Sequence, residues 1–228
     1  VLIAITAWLS FPQFPVKVKQ RRQLVLRKRY WLYYALTFLS GARRQIFIVF
    51  AGFLMVEKFG YSVAAISVLF LVNATLNMLF ATRIGRIIGM VGERTALVFE
   101  YVGLVIVFVA YAFVESAVVA AGLYIIDHFF FALALAIKTY FQKIADPADI
   151  ASSAGVSFTI NHIAAVVLPA VLGVLWLTSP ASVFLVGAGL AGFSLLLSLN
   201  IPTHPEQGNG APLGRWGSAL PGVITVGK

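Results

Sequence analysis

Six long apolar runs follow one another in this chain, at about 31–55, 62–84, 95–114, 117–138, 150–177 and 181–201. Each is near or above the roughly 20 residues that an α-helix needs to cross a hydrocarbon core about 30 Å thick. Backbone polar groups in lipid have to be satisfied inside the chain, so only helices and closed barrels span a bilayer. Barrel strands alternate in polarity over segments of about ten residues, whereas these runs are continuous. The sequence therefore predicts an all-α, polytopic membrane protein with six transmembrane helices in a bundle over 31–201. Its charged fraction of 11% agrees, being far below the roughly 25% of a soluble domain.

The flanks set the expected topology. Residues 1–11 form an apolar stretch too short to span, without a basic region or cleavage site, and are expected to be the end of a preceding transmembrane helix in a longer protein. Residues 12–30 form a linker with seven basic residues (Lys17, Lys19, Arg21, Arg22, Arg27, Lys28, Arg29) and no acidic one. The loops then alternate: those near 57–60, 115–116 and 178–180 hold one basic residue, Lys58, whereas the others hold Arg83, Arg86, Arg94, Lys138 and Lys143. With Arg215 and Lys228 in the tail, fourteen basic residues fall on one side against one on the other. By the positive-inside rule, both ends of the six-helix unit are expected in the cytoplasm. The basic linker is read as setting orientation and touching anionic membrane lipids rather than nucleic acid. Residues 202–228 are too polar to bury much apolar surface and are expected to form a flexible cytoplasmic tail, with His204 solvated. The chain has no cysteine, which excludes disulfides, thiolate chemistry and Cys-based metal or iron–sulfur sites.

Gly85-Arg86-Ile87-Ile88-Gly89-Met90-Val91-Gly92-Glu93-Arg94, between the second and third runs, is similar to the signature loop of the major facilitator superfamily, Gly-x-x-x-Asp-Arg-x-Gly-Arg-Arg. Gly85, Gly92 and Arg94 match; Gly89, Met90 and Glu93 depart from it, and with Gly89 in place of Asp the family's gating salt bridge is in doubt. Six helices behind a long basic linker also resemble the C-terminal half of such a transporter. The stretch Thr159-Ile160-Asn161-His162-Ile163-Ala164-Ala165 resembles a subgroup of bacterial permeases. The resemblance implies two inverted three-helix repeats forming one half of a twelve-helix fold, with the N-terminal half of the same protein as partner. It also implies a location in the bacterial inner membrane and a substrate site near the midplane between repeats. Helices three and six, as third members, are expected to support from outside. Glu100 is expected to pair with Arg94 or Arg86 as a substitute for the loop Asp, giving a gating group of Gly85, Arg86, Gly92, Glu93, Arg94 and Glu100.

Polar residues in the middle third of the runs carry the functional signal, because each central Arg costs roughly 2.5–3.5 kcal/mol on the insertion scale and needs a partner, a watery cavity or an anion. They are Arg43 and Arg44 in helix one, Asn73 and Asn77 in helix two, Asp127 and His128 in helix four, and Asn161 and His162 in helix five. Arg43 and Arg44 point about 100° apart, so at most one looks squarely into a cavity while the other pairs sideways. Asp127 is either a structural ion-pair partner of an arginine or a proton-loading carboxylate, with His128 and His162 as relays or as packing residues. Asn73 and Asn77 share a face and serve helix packing or pore lining equally well. Substrate contact is assigned to Arg43, Arg44, Asn73, Asn77 and Asn161, and proton coupling to Asp127, His128 and His162. Pro169 is expected to kink helix five, and the glycines around Gly187 to permit close helix packing.

No His-Glu-x-x-His, Gly-x-Ser-x-Gly or acidic metal cluster is present, so an enzyme, a metal and a cofactor are not expected. The expected function is a secondary transporter working by alternating access on a small anionic or zwitterionic solute, coupled to protons. If Asp127 permanently neutralises an arginine, the free site is nearly neutral and suits sugars or amphipathic drugs instead. The alternative is a non-transporting receptor or scaffold with the same fold.

Overall fold

The computed structural model describes residues 25–211, together with Thr6, Ser10, Val18 and the backbone of 223–225. The expected preceding helix and most of the linker lie outside the described residues. Six helices are long and apolar enough to cross a membrane: α1 (Lys28–Glu57), α2 (Val63–Val91), α3 (Glu93–Phe113), α4 (Ala117–Ile144), α5 (Pro147–Thr178) and α6 (Pro180–Ser198). They correspond to the six runs, and the chain is a multi-pass membrane protein by length and composition.

Local chemistry explains where the helices stop. Gly60 (φ 68°) ends α1, with Gly60 N donating to Val56 O and Tyr61 N to Met55 O. Ser62 accepts from Ala65 N to start α2, and Ser179 accepts from Ser182 N to start α6 behind Pro180. Gly92 (φ 84°) separates α2 from α3 by a single residue. The expected signature loop is therefore a correction: residues 85–91 are the last turns of α2, and 93–94 are the first turn of α3. Only Gly92 is a turn, because its positive φ lets the chain reverse direction without a longer connection. Helical structure also runs uninterrupted past Pro169 in α5.

Two helices are irregular at mid-length. In α1 a π-helical segment, Ile46–Ala51, directly follows Arg43-Arg44-Gln45. In α4 the α-helix stops at Ala132 and resumes at Leu135, with 3-10-type bonds from Leu133 N to Phe130 O and from Ala134 N to Phe131 O. Neither break contains Pro or Gly.

The most buried helix is α1, which packs on α5 and α6, while α3 and α6 pack on each other and α4 packs between α2 and α3. Close approach is set by small residues. The Phe108 ring of α3 sits where a Cβ on Gly187 would come within 2.9 Å, as the glycine pattern of helix six predicts. Asn161 of α5 lies against Gly41 of α1 in the same way. Tyr111 stacks on Phe184 at 5.1 Å between centroids, joining α3 to α6. By contrast α2 buries almost none of its surface and α5 little.

Each end of the bundle is tied by polar contacts. At the basic end, Asp149 accepts hydrogen bonds from Arg27 (3.1 Å), Arg29 (3.2 Å) and Tyr30 (3.1 Å), and Tyr30 accepts from Asp146 N. The bond to Asp149 raises the Arg27 guanidinium above its ordinary value. Of residues 202–228, expected to form a flexible tail, 202–211 instead lie against this end, while 212–222 and 226–228 lie outside the described residues. Gln207 donates to Ala145 O at 3.0 Å, Tyr140 donates to Gly210 O, and Val223–Thr225 pairs antiparallel with Val25–Arg27. Backbone acceptors left over at the end of α4 give the polar tail partners that its composition does not reveal. At the opposite end, Trp176 donates to Glu57 (2.9 Å), Lys58 pairs with Glu115 (3.0 Å), and Tyr61 donates to Ala117 O (3.0 Å).

Candidate functional site

Arg43 and Arg44 diverge as their spacing predicts, and their surroundings are opposite. Arg43 is fully buried; its Nη2 lies 3.5 Å from Glu100 Oε1 of α3, and its guanidinium stands 4.4 Å over the Tyr101 ring. Asp127 of α4 is also fully buried and within electrostatic reach of Arg43. Among the described residues no group hydrogen-bonds to either carboxylate oxygen of Asp127 or of Glu100, nor to any guanidinium nitrogen of Arg43. The hydroxyls of Tyr101 and Tyr124 nearby are equally unpartnered. One cation thus faces two carboxylates in a closed interior, and the set is neutral only when it carries one proton.

This corrects two expectations. Glu100 pairs with Arg43 and not with Arg94 or Arg86, and helix three therefore does contribute a charged centre. Glu100 starts nearer the end of its helix than Arg43 does, and the long Arg43 side chain, leaning back toward the N-terminus of α1, spans the difference. Among the described residues Arg86 and Arg94 form no ion pair, and Arg86 is exposed. Glu93 is buried and pairs with Lys143 of α4 at 2.7 Å, so the second-run turn is fastened to α4 through the residue that departs from the family motif. Gly85 is half-buried in α2, with only Leu135 near it.

Arg44 is exposed on the bundle face, with its guanidinium 5.8 Å from the Phe131 ring and within electrostatic reach of His128. No carboxylate lies within ion-pair distance of it among the described residues. Asn161 of α5 rests on Gly41, three residues before Arg44, and His128 of α4, within electrostatic reach of Arg44, lines a cleft together with Asn77 of α2. Asn73, at the base of that cleft, is buried and donates to Tyr124 O at 3.4 Å, leaving its Oδ1 unpartnered. Asn73 and Asn77, although four apart, thus differ in surroundings: Asn73 joins α2 to α4 and Asn77 is exposed.

The proposed relay is not brought together. His162 is exposed, stacks on Phe158 at 3.9 Å and engages the Phe158 carbonyl of its own helix, while His128 faces the cleft and not the Arg43 cluster. An imidazole one turn past Phe158 satisfies itself locally, which the sequence spacing alone does not disclose. The π-helical segment of α1 and the break in α4 both flank the mid-depth charges, a placement seen where helices serve a site rather than only a core. Among the described residues no group of three His, Asp or Glu side chains is arranged to hold a metal ion. No family model matches this chain, and neither does any curated protein or solved structure.

Proposed function

We propose that this chain is the transporting half of a proton-coupled secondary transporter of the major facilitator type, acting on a small anionic or zwitterionic solute by alternating access. One observation carries the reading: a guanidinium and two carboxylates, all fully buried inside the helix bundle and, among the described residues, all without hydrogen-bond partners. Such a set is costly to keep in a bilayer interior and is a hallmark of ion or proton pathways. In this reading Asp127 and Glu100 exchange one proton against Arg43, and Arg44, Asn77 and Asn161 face the solute. The exposed faces of α2 and α5 are where a partner half and membrane lipid cover the bundle.

The test is solute uptake by the protein in proteoliposomes with and without an inward-acid pH gradient. Wild type is expected to show gradient-driven uptake of an anionic solute. Asp127→Asn and Glu100→Gln are expected to lose the uphill component while retaining counterflow. Uphill uptake unchanged in both variants refutes the coupling role, and no flux of any solute by folded protein favours the receptor or scaffold reading.

A further inference from the structure

The seam between α1 and α5 carries a row of hydroxyl groups that lead from the basic end into the bundle. On α5, Asp149, Ser153 and Ser157 follow at four-residue steps and share one face. The tyrosines of α1 lie opposite: Tyr30 donates to Asp149 at 3.1 Å, Tyr34 faces Ser153, and Tyr33 shares a 2.6 Å hydrogen bond with Ser157 and adjoins Thr37. From Thr37 the row continues to Ser40 and Arg43 in steps of three residues, each turning about 60° around the helix axis. All three are buried. From Tyr34 to Arg43 the helix makes about two and a half turns, so the row begins on the side facing α5 and ends on the opposite side, where Arg43 meets Glu100 of α3.

Unpartnered groups fall on this row. Arg27 and Glu93 sit in ion pairs, and the charge cluster has Asn73 and Tyr124 at its edge. Apart from these, the buried side-chain polar atoms without a hydrogen-bond partner among the described residues are the hydroxyls of Tyr34, Thr37 and Ser153. These residues are only 9%, 6% and 0% exposed. Hydroxyls that merely pack between membrane helices bond to a neighbouring helix or to their own backbone, as Ser157 does with Ser153 O. A buried hydroxyl without a protein partner is the kind of group that holds an internal water. At the opposite end the tyrosine hydroxyls are satisfied, Tyr111 by Ala120 O and Tyr61 by Ala117 O.

We propose that buried waters join these hydroxyls into a proton path that runs from Asp149 at the basic end, along the α1–α5 seam and around α1 past Thr37 and Ser40, to Glu100. Each hydroxyl or water on the path accepts a proton on one side and releases its own on the other. A hydronium at the mouth thereby becomes water, one buried carboxylate becomes the acid, and the groups between them keep their composition. Arg43 keeps its proton throughout. The mouth meets bulk water beside Arg29, whose side chain is 44% exposed and lies 3.2 Å from Asp149. The proposal rests on the proton-coupled reading for the use of the path and gives that reading a side: in this conformation the cluster exchanges protons with the basic end.

The experiment follows the carboxylic acid C=O stretch of the detergent-solubilised full chain by infrared spectroscopy while the buffer is changed from H2O to D2O. Wild type is expected to show a buried-acid band that shifts as the acid exchanges its proton for a deuteron, and that is missing when Glu100→Gln and Asp127→Asn are combined. Thr37→Val keeps the shape of the side chain and removes its hydroxyl. It is expected to slow the shift about tenfold, the rate equivalent of one lost hydrogen bond, while the melting temperature holds. Ser153→Ala acts in the same direction, Thr37→Ser restores the wild-type rate, and Tyr111→Phe, at the opposite end, leaves it unchanged. The proposal is overturned by the lack of a buried-acid band, by equal rates in wild type, Thr37→Val and Ser153→Ala, or by a Tyr111→Phe as slow as Thr37→Val. A band whose exchange depends on Thr37, in a protein without gradient-driven uptake in proteoliposomes, refutes the transporter reading and leaves the path standing. Uphill uptake with an exchange rate indifferent to Thr37 does the reverse.

Discussion

Removing Arg43 and removing Glu100 are expected to have very different effects, although the two residues form one ion pair. Arg43→Met leaves Glu100 and Asp127 buried with no cation, and an uncompensated buried charge costs about 3–5 kcal/mol. For a chain of this length that corresponds to a fall of roughly 6–20 °C in melting temperature. Glu100→Gln leaves Arg43 facing Asp127, one cation against one anion, and preserves volume. Its cost is expected to stay within about 1 kcal/mol, comparable with one neutral hydrogen bond. Adding Glu100→Gln and Asp127→Asn to Arg43→Met removes every charge from the cluster and is expected to recover most of the loss. Thermal unfolding of detergent-solubilised protein, followed by the fluorescence of its four tryptophans, reads wild type and all three variants. The charge-count argument is refuted if Glu100→Gln melts as low as Arg43→Met, or if neutralising both acids fails to raise the melting temperature of Arg43→Met.

Gly187→Leu forces side-chain atoms into the Phe108 ring and is expected to destabilise by about 1–3 kcal/mol, measurable in the same melt, whereas Gly189→Leu faces open space and is expected to cost much less. Lys143→Met strands the buried Glu93 carboxylate, though at the N-terminus of α3 where the helix dipole offsets part of the penalty; a loss of about 1–2 kcal/mol is expected in denaturant unfolding. Arg27→Gln breaks the contact with Asp149. Because that bond raises a guanidinium that already stays protonated far above neutral pH, its contribution is fully present throughout the neutral range, so the deficit on the arginine side is expected to be the same at pH 6 and pH 9. Tyr140→Phe removes the bond to Gly210 O and is expected to speed proteolytic cleavage around residues 205–211 without changing the melt of the bundle.

The six helices were legible because continuous apolarity over about 20 residues has one solution in lipid, whereas the end of the second was not, because residues 85–91 read as a loop and only Gly92 turns. The divergence of Arg43 from Arg44 followed from helical geometry. The partner of Arg43 did not, because the level of a charged group is set by a side chain several ångströms long as well as by its backbone position. The π-helical segment at Ile46–Ala51 and the interruption at Leu133–Ala134 left no signal, since Val, Ile, Phe, Leu and Ala are as common in regular membrane helices. The docking of residues 202–211 was hidden for another reason. Its contacts are single hydrogen bonds to carbonyl groups, which no residue type announces.

A helix that changes its hydrogen-bond pattern halfway is two levers on one joint, and α4 is built that way. Its upper arm, to Ala132, holds Asp127 and His128; its lower arm, from Leu135, is anchored through Lys143 to the start of α3 and through Tyr140 to the tail. The buried acid and the fastened surface thus belong to one helix but to different arms of it, joined where the hydrogen-bond pattern changes.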